Sequence, residues 1–246
     1  MSKKVLVTGA STGIGAATVR RARSAGWEVL ATARREERLV ALSEETGCSW
    51  ITADLTKDED VARLAQRARE FAIDALVNNA GGARGIDRVE DGKIEDWQAM
   101  YDMNVLGTLR ITQAVLPIFR ERGKGSFVFL TSTAAHDTYP GGAGYTAAKH
   151  AERMLPNTMR LELVGEPIRI IEIGPGMVKT EEFSLNRLGS EEAAESVYAG
   201  VDEPLVGDDI AEAIMWTLEL PDHVNIDSML IRPVAQASNT VVARNK

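Results

Sequence analysis

Apolar residues in this chain gather in short unbroken runs, and between the runs they recur every three or four positions. The runs lie at 5–8, 27–33, 49–53, 73–77, 126–131, 168–173 and 228–231. Runs of this length, bounded by glycine or polar residues, predict strands buried on both faces. Between them, Ile14, Ala17, Thr18 and Ala22 fall at helical spacing, as do Val61, Leu64, Ala65 and Ala68, and Ile210, Ala213, Ile214, Thr217 and Leu218. Two long helices are expected, one from 96 to about 120 with Asn104 inside it and one from 145 to about 163. Asn104 is a modest helix former, so if buried it needs hydrogen-bond partners. Pro117 is expected to bend or shorten the end of the first helix, and Pro156 to kink the second.

Strand and helix alternate along the whole chain. That pattern predicts an α/β protein: a single-domain, Rossmann-type doubly wound sheet of about seven parallel strands, with helices on both faces and right-handed crossovers. One domain spans 1–246, with a mobile, helical substrate lobe at about 178–206 and a polar C-terminal tail at 233–246. In such sheets ligands bind at the carboxyl ends of the strands. The chemically suggestive residues fall there, or on the helix that follows.

The first run ends in Gly9, Ser11, Thr12, Gly13, Ile14 and Gly15. Glycines between a strand and a helix allow phosphate to approach the backbone, and the helix start presents free N–H groups. The second run ends at Ala33-Arg34-Arg35, where a carboxylate is expected if a ribose 2′-OH is to be bound. Two guanidiniums there suit a 2′-phosphate, hence NADP rather than NAD. The fourth run leads into Asn78-Asn79-Ala80-Gly81, and the fifth delivers Ser132. Tyr145 and Lys149 stand four apart, on one face of the next helix. An ammonium beside a phenol favours phenolate and equips a tyrosine for proton transfer near neutral pH.

Composition narrows the partners. The net charge of −8 and the lack of a basic block argue against nucleic acid. No apolar run approaches the roughly 18 residues of a membrane span. No signal-peptide pattern precedes the first strand, and Cys48 is the single cysteine, so a cytoplasmic setting is expected and no metal site is indicated.

These motifs, taken together, resemble the short-chain dehydrogenase/reductase family over essentially the whole chain. The matching positions are Thr8-Gly9-x-x-x-Gly13-Ile14-Gly15, Asp54-Leu55, Asn78-Asn79-Ala80-Gly81, Asn104, Ser132, Tyr145-x-x-x-Lys149 and Pro175-Gly176. The resemblance implies that the glycine turn cradles the pyrophosphate and that Asp54 and Leu55 contact the adenine. Arg34 takes the NADP-selecting position, with Arg35 beside it, and Asn79, Ala80 and Gly81 lie along the cofactor. Ser132, Tyr145, Lys149 and Asn104 form the catalytic set, with Asn104 holding a relay water. Lys149 also binds the nicotinamide ribose, and Pro175, Gly176, Val178 and Thr180 border the nicotinamide.

A narrower resemblance, to bacterial NADP-dependent 3-hydroxy acid (serine) dehydrogenases, rests on Ala33-Arg34-Arg35-x-x-Arg38-Leu39, Ala114-Val115-Leu116-Pro117, Leu220-Pro221-x-His223-Val224-Asn225-Ile226 and Pro233-Val234-x-Gln236. It implies a small hydroxy acid or carbonyl as substrate and a homotetramer in which the tail contacts neighbours. A substrate carboxylate needs a cation, and Lys179, Arg187 and Arg84 are the candidates. His136 reads as a polar loop residue. Two other readings stand beside this one. In the first, Met177, Phe183, Leu185 and Leu188 line a wider pocket for a bulkier ketone; in the second, the chain is a non-catalytic NADP-sensing protein.

Overall fold

The structure, a computed structural model, describes residues 2–245. The chain runs β1 (Lys4–Thr8), α1 (Gly13–Ser24), β2 (Glu28–Ala33), α2 (Glu36–Thr46), β3 (Ser49–Thr52), α3 (Asp58–Phe71) and β4 (Ala75–Asn78). It continues through α4 (Ile94–Tyr101), a π-helical turn (Asp102–Leu106), α5 (Gly107–Arg122), β5 (Gly125–Leu130), α6 (Ala143–Glu162) and β6 (Ile168–Pro175). The last part holds β7 (Val178–Lys179), α7 (Phe183–Leu188), α8 (Glu191–Ser196), β8 (Leu205–Val206), α9 (Gly207–Glu219) and β9 (Met229–Ile231).

Seven strands form one parallel sheet in the order β3-β2-β1-β4-β5-β6-β9, as the alternation predicts. The order reverses between β1 and β4, so the chain leaves the sheet in opposite directions on either side of that point and opens a crevice there. Alternating residues feed two cores. Val5 and Val7 of β1, with Val128 and Leu130 of β5, pack against Val19 of α1 and Ile210 and Ile214 of α9. Leu6, Phe127 and Phe129 face the other way, onto Leu64 of α3 and Ile111, Val115 and Phe119 of α5.

Three local features depart from expectation. The long helix from Ile94 to Arg122 contains the π turn at Asp102–Leu106, which adds a residue to the helical winding and turns Asn104 inward. Pro117 does not shorten α5, which runs on to Arg122. The lobe carries two short helices, but its ends are tied by a separate parallel ribbon in which Val178 pairs with Leu205 and Lys179 with Val206. Among the described residues no helix is long and apolar enough to cross a membrane.

Candidate active site

At the sheet's carboxyl edge lies a cleft of about 1370 Å³, bordered by the β1–α1 turn, the ends of β4, β5 and β6, the lobe and the tail. Gly9, Thr12, Gly13, Ile14, Arg34, Arg35, Asn79, Ala80, Gly81, Ser132, Tyr145, Lys149, Pro175, Gly176, Val178 and Thr180 all border it. Ser11, Gly15, Asn104, Asp54 and Leu55 do not line it directly. Asp54 accepts from Thr56 N and Thr56 Oγ1 in the turn after β3, and Leu55 is buried against Gly107.

The glycine turn fits a dinucleotide phosphate. Gly9 and Gly13 have φ of +63° and +54°, a region that side chains disfavour. A Cβ on Gly15 would lie 2.3 Å from Gly9 O and 2.5 Å from Asn79 Nδ2, so the chain can be packed this tightly only without one. No side chain caps the first turn of α1, which leaves its N–H groups for an anion. Asn79 serves this geometry, donating from Nδ2 to Thr8 O at 2.8 Å.

The two arginines after β2 have different surroundings. Arg34 is exposed and makes no side-chain hydrogen bond or ion pair among the described residues. Arg35 donates to both Glu182 carboxylate oxygens at 2.7 Å and to Ser11 Oγ at 3.0 Å, which ties the lobe to the glycine turn. The Glu182 carboxyl is held below the usual carboxylate range by that hydrogen bond from Arg35. Arg38 adds a contact to Glu181 at 3.2 Å, and Thr12 Oγ1 donates to the same carboxylate.

Ser132 ends the extended chain after β5. Its Oγ accepts from Ala134 N at 3.1 Å and donates to Pro175 O at 3.4 Å, linking the loops after β5 and β6. Tyr145 and Lys149 lie one turn apart on α6 and are 8 % and 4 % exposed. The Lys149 Nζ is 6.0 Å from the Tyr145 ring centre, donates to Leu130 O at 3.1 Å and meets Glu152 Oε2 at 2.6 Å. Burial opposes the charge on both members of that pair and pushes the Glu152 carboxyl above its ordinary range. On Lys149 burial lowers the value, but Glu152 and Tyr145 together outweigh it and hold the ammonium above the ordinary lysine value.

Asn104 is fully buried. Its Oδ1 accepts from Gly82 N at 3.0 Å, and its Nδ2 donates to Gly82 O and Met100 O. The amide thus holds the strand-end loop after β4 against the π turn. A Cβ on Gly81 would lie 2.6 Å from Asn104 Oδ1 and 3.5 Å from Lys149 Nζ, so these three positions adjoin.

Of the three candidate cations, Lys179 is exposed outside the cleft, and Arg84 faces Asp96 at 3.6 Å. Arg187 stands inside. Its guanidinium carbon is 5.9 Å from the Tyr145 ring centre and 5.3 Å from that of Tyr139. Its donors go to Tyr139 Oη, Gly85 O and Gly141 O at 3.0–3.1 Å, all neutral acceptors, and no carboxylate lies within ion-pair distance among the described residues. Phe183 packs edge-on against Tyr145 at 5.7 Å.

Three features escape a reading of the sequence. Glu152 and Glu172 are buried carboxylates behind the site, and Glu172 meets Thr131 Oγ1, His136 Nε2 and Arg153 Nε at 2.9–3.3 Å. The loop histidine is therefore a partner of a buried acid. Glu172 stands inside an apolar strand run and Glu152 three residues past Lys149, so their spacing was a usable signal. The tail folds onto its own chain: Asn239 Oδ1 accepts from Thr133 Oγ1 at 2.7 Å, Gln236 Oε1 accepts from Met177 N at 2.7 Å, and Arg244 donates to Val197 O.

The sequence model described as short chain dehydrogenase matches residues 3–188. An uncharacterised oxidoreductase of Mycobacterium tuberculosis is 50 % identical over 234 residues, covering 95 % of this chain and 92 % of that one. An NADP-dependent 3-hydroxy acid dehydrogenase of Salmonella typhi is 40 % identical over 240 residues, covering 95 % and 96 %. Among solved structures, the closed form of a serine dehydrogenase complexed with NADP+ superposes with a TM-score of 0.92 at 36 % identity, covering 99 % and 100 %.

Proposed function

The chain belongs to the short-chain dehydrogenase family, and from that membership we propose an NADP-dependent oxidoreductase acting on a small hydroxy compound and its carbonyl, specifically a 3-hydroxy acid such as serine or 3-hydroxypropionate. The nicotinamide, when bound, supplies the hydride chemistry. The residues that would hold the cofactor are the Gly9–Gly15 turn with Ser11, Thr12, Gly13 and Ile14 for pyrophosphate, Arg34 for the 2′-phosphate, with Arg35 beside it held by Glu182 and Ser11, and Asp54 and Leu55 for adenine. Asn79, Ala80, Gly81, Pro175, Gly176, Val178 and Thr180 flank the rest.

Tyr145 gives its phenolic proton to the substrate oxygen in reduction and takes it back in oxidation. Ser132 donates to the same oxygen and stabilises the charge that develops on it. Lys149 supplies the positive field that favours the phenolate. Asn104 keeps the loop below them in place.

The observation that carries the choice of substrate is Arg187, a guanidinium beside Tyr145 with no carboxylate within ion-pair distance among the described residues. A substrate carboxylate satisfies it through a charged hydrogen bond. A bulky apolar ketone would instead set hydrocarbon against it. Similarity to the Salmonella typhi 3-hydroxy acid enzyme supports the same choice. A cytoplasmic homotetramer completes the reading: the single buried Cys48 suits a reducing compartment, and the exposed Met154, Leu161 and Val164 suit a subunit contact.

The test is a panel of 3-hydroxy acids and matched neutral alcohols, run on wild type, Arg187→Met and Tyr145→Phe. Arg187→Met is expected to lose about 10- to 100-fold in kcat/KM on the acids, the worth of a charged hydrogen bond, and little on the neutral alcohols. Tyr145→Phe is expected to bind NADPH and lose about 10²- to 10⁴-fold in turnover on both. Equal losses on acids and alcohols for Arg187→Met would remove the carboxylate argument.

A further inference from the structure

We propose that Glu152 is the counter-charge that keeps Lys149 an ammonium, and so a positioning residue for proton transfer at Tyr145. The inference rests on the acid–base reading of Tyr145 and Lys149 given above. Lys149 is 4 % exposed and Glu152 1 % exposed. The Nζ reaches two partners, the Glu152 carboxylate at 2.6 Å and the neutral Leu130 carbonyl at 3.1 Å. Little solvent reaches the amine at that depth. An ammonium buried without a counter-ion titrates several units below the ordinary lysine value and stands largely neutral at working pH. A neutral amine exerts no field on the phenol beside it.

Among the described residues, no other carboxylate contacts Lys149. On α6 itself the ionisable neighbours are Tyr145 and Glu152. From α5, Thr108 donates to Glu152 Oε1 at 3.4 Å, and from the π turn Asn104 is neutral. From β6, Glu172 acts on Glu152 but is itself engaged by Arg153 and His136. Arg187 is a second cation 5.9 Å from the Tyr145 ring centre, and Tyr139 accepts a hydrogen bond from it. Glu152 is therefore the one carboxylate in contact with Lys149 among the described residues. The spacing of three along α6 fixes it there, on the same helical face as the amine it serves.

The variant Glu152→Gln keeps the shape and removes the charge. In the cofactor-free protein, ultraviolet absorbance follows phenolate formation, and subtraction of the Tyr145→Phe titration isolates Tyr145. Glu152→Gln is expected to move that titration to higher pH by about one unit, since the amine beside it is no longer held charged. The acidic limb of kcat/KM for alcohol oxidation is expected to move with it, while Glu152→Asp, which keeps the charge, stays close to wild type. A titration that stays in place or moves to lower pH overturns the proposal, as does an equal shift in Glu152→Asp. Carbon-13 NMR of lysine-labelled wild type, with Lys149 assigned from Lys149→Arg, tests the same point should Glu152→Gln fail to fold. Its ammonium is expected to persist above the ordinary lysine range, and a resonance already neutral near pH 7 overturns the inference. If Tyr145→Phe is fully active, the acid–base reading itself is what fails; if it is inactive and Glu152→Gln leaves the titration in place, only the role of Glu152 falls.

Discussion

The two walls of the cleft are held in place by different forces. The β1–α1 turn is fixed by excluded volume: Gly9, Gly15 and Asn79 touch so closely that a methyl group at either glycine would fall within 2.8 Å of another atom. The lobe opposite has little buried apolar surface, and its hold comes from polar contacts reaching in from distant segments. Arg35 and Arg38 take Glu182 and Glu181, and Arg244 takes the carbonyls of Val197 and Ala199. Packing of the first kind has one arrangement. Ion pairs of the second kind can open and reform at small cost. A rigid phosphate cradle facing a releasable wall suits a site whose cover opens for its ligands to enter and leave.

The sharpest way to break this contrast is a single methyl group in the rigid wall. Gly15→Ala places a Cβ 2.3 Å from a backbone oxygen, where neither side can yield cheaply. Overpacking of this kind costs about 1–3 kcal/mol or more, and here it also displaces the turn that receives phosphate. Thermal melting is expected to fall by several degrees, and NADPH binding followed by fluorescence to be lost. A Gly15→Ala protein that melts and binds like wild type would mean that the turn is as pliant as the lobe.

The next test falls on neighbouring arginines that belong to different walls. Arg34 is exposed at the cleft and unpartnered among the described residues, whereas Arg35 is spent on Glu182 and Ser11. Arg34→Ala is expected to raise the Kd for NADP about 10-fold and leave NAD nearly unchanged, since one charged contact to phosphate is lost. Arg35→Ala is expected to weaken NADP and NAD alike, by loosening the lobe that covers both. Titrations of each variant with the two cofactors decide it. A selective loss of NADP in Arg35→Ala and not in Arg34→Ala would reverse the assignment.

The same contrast explains how much of the molecule was legible in its sequence. Parallel strands covered on both faces are apolar runs, so all seven sheet strands stood out, and the strand ends brought Gly9, Asn79, Ser132 and Pro175 to one edge. Tyr145 and Lys149 followed from helical spacing. What stayed hidden depends on contacts between distant segments. The π turn at Asp102–Leu106 needs one extra residue in a helix and leaves no compositional mark. The ribbon of Val178–Lys179 with Leu205–Val206 is two residues wide and pairs across the whole lobe. Nothing local marks the contact of Arg35 with Glu182, 147 positions away. The contacts of the tail with Thr133 and the lobe join segments far apart along the chain. Glu152 and Glu172 are charged residues, which by default lie at the surface.

The smallest expected effect is a fading of the lobe's hold in acid. Hydrogen bonding from Arg35 depresses the Glu182 carboxyl, so the pair adds stability at pH values above the ordinary glutamate range, about 4.3, and that contribution is lost as pH falls through the lower folded value. Arg35 is 40 % exposed at its side chain, so solvent screening leaves only about 0.2–1 kcal/mol in the pair. Amide hydrogen exchange in α7, corrected for the intrinsic pH dependence, is therefore expected to rise about 2- to 5-fold relative to β1 as pH drops below this range. In Glu182→Gln the same amides are expected to exchange faster at neutral pH and to show no further acid step. An acid step of equal size in β1 would mean that the sheet itself is loosening, and the division between a packed wall and an ion-paired wall would not hold.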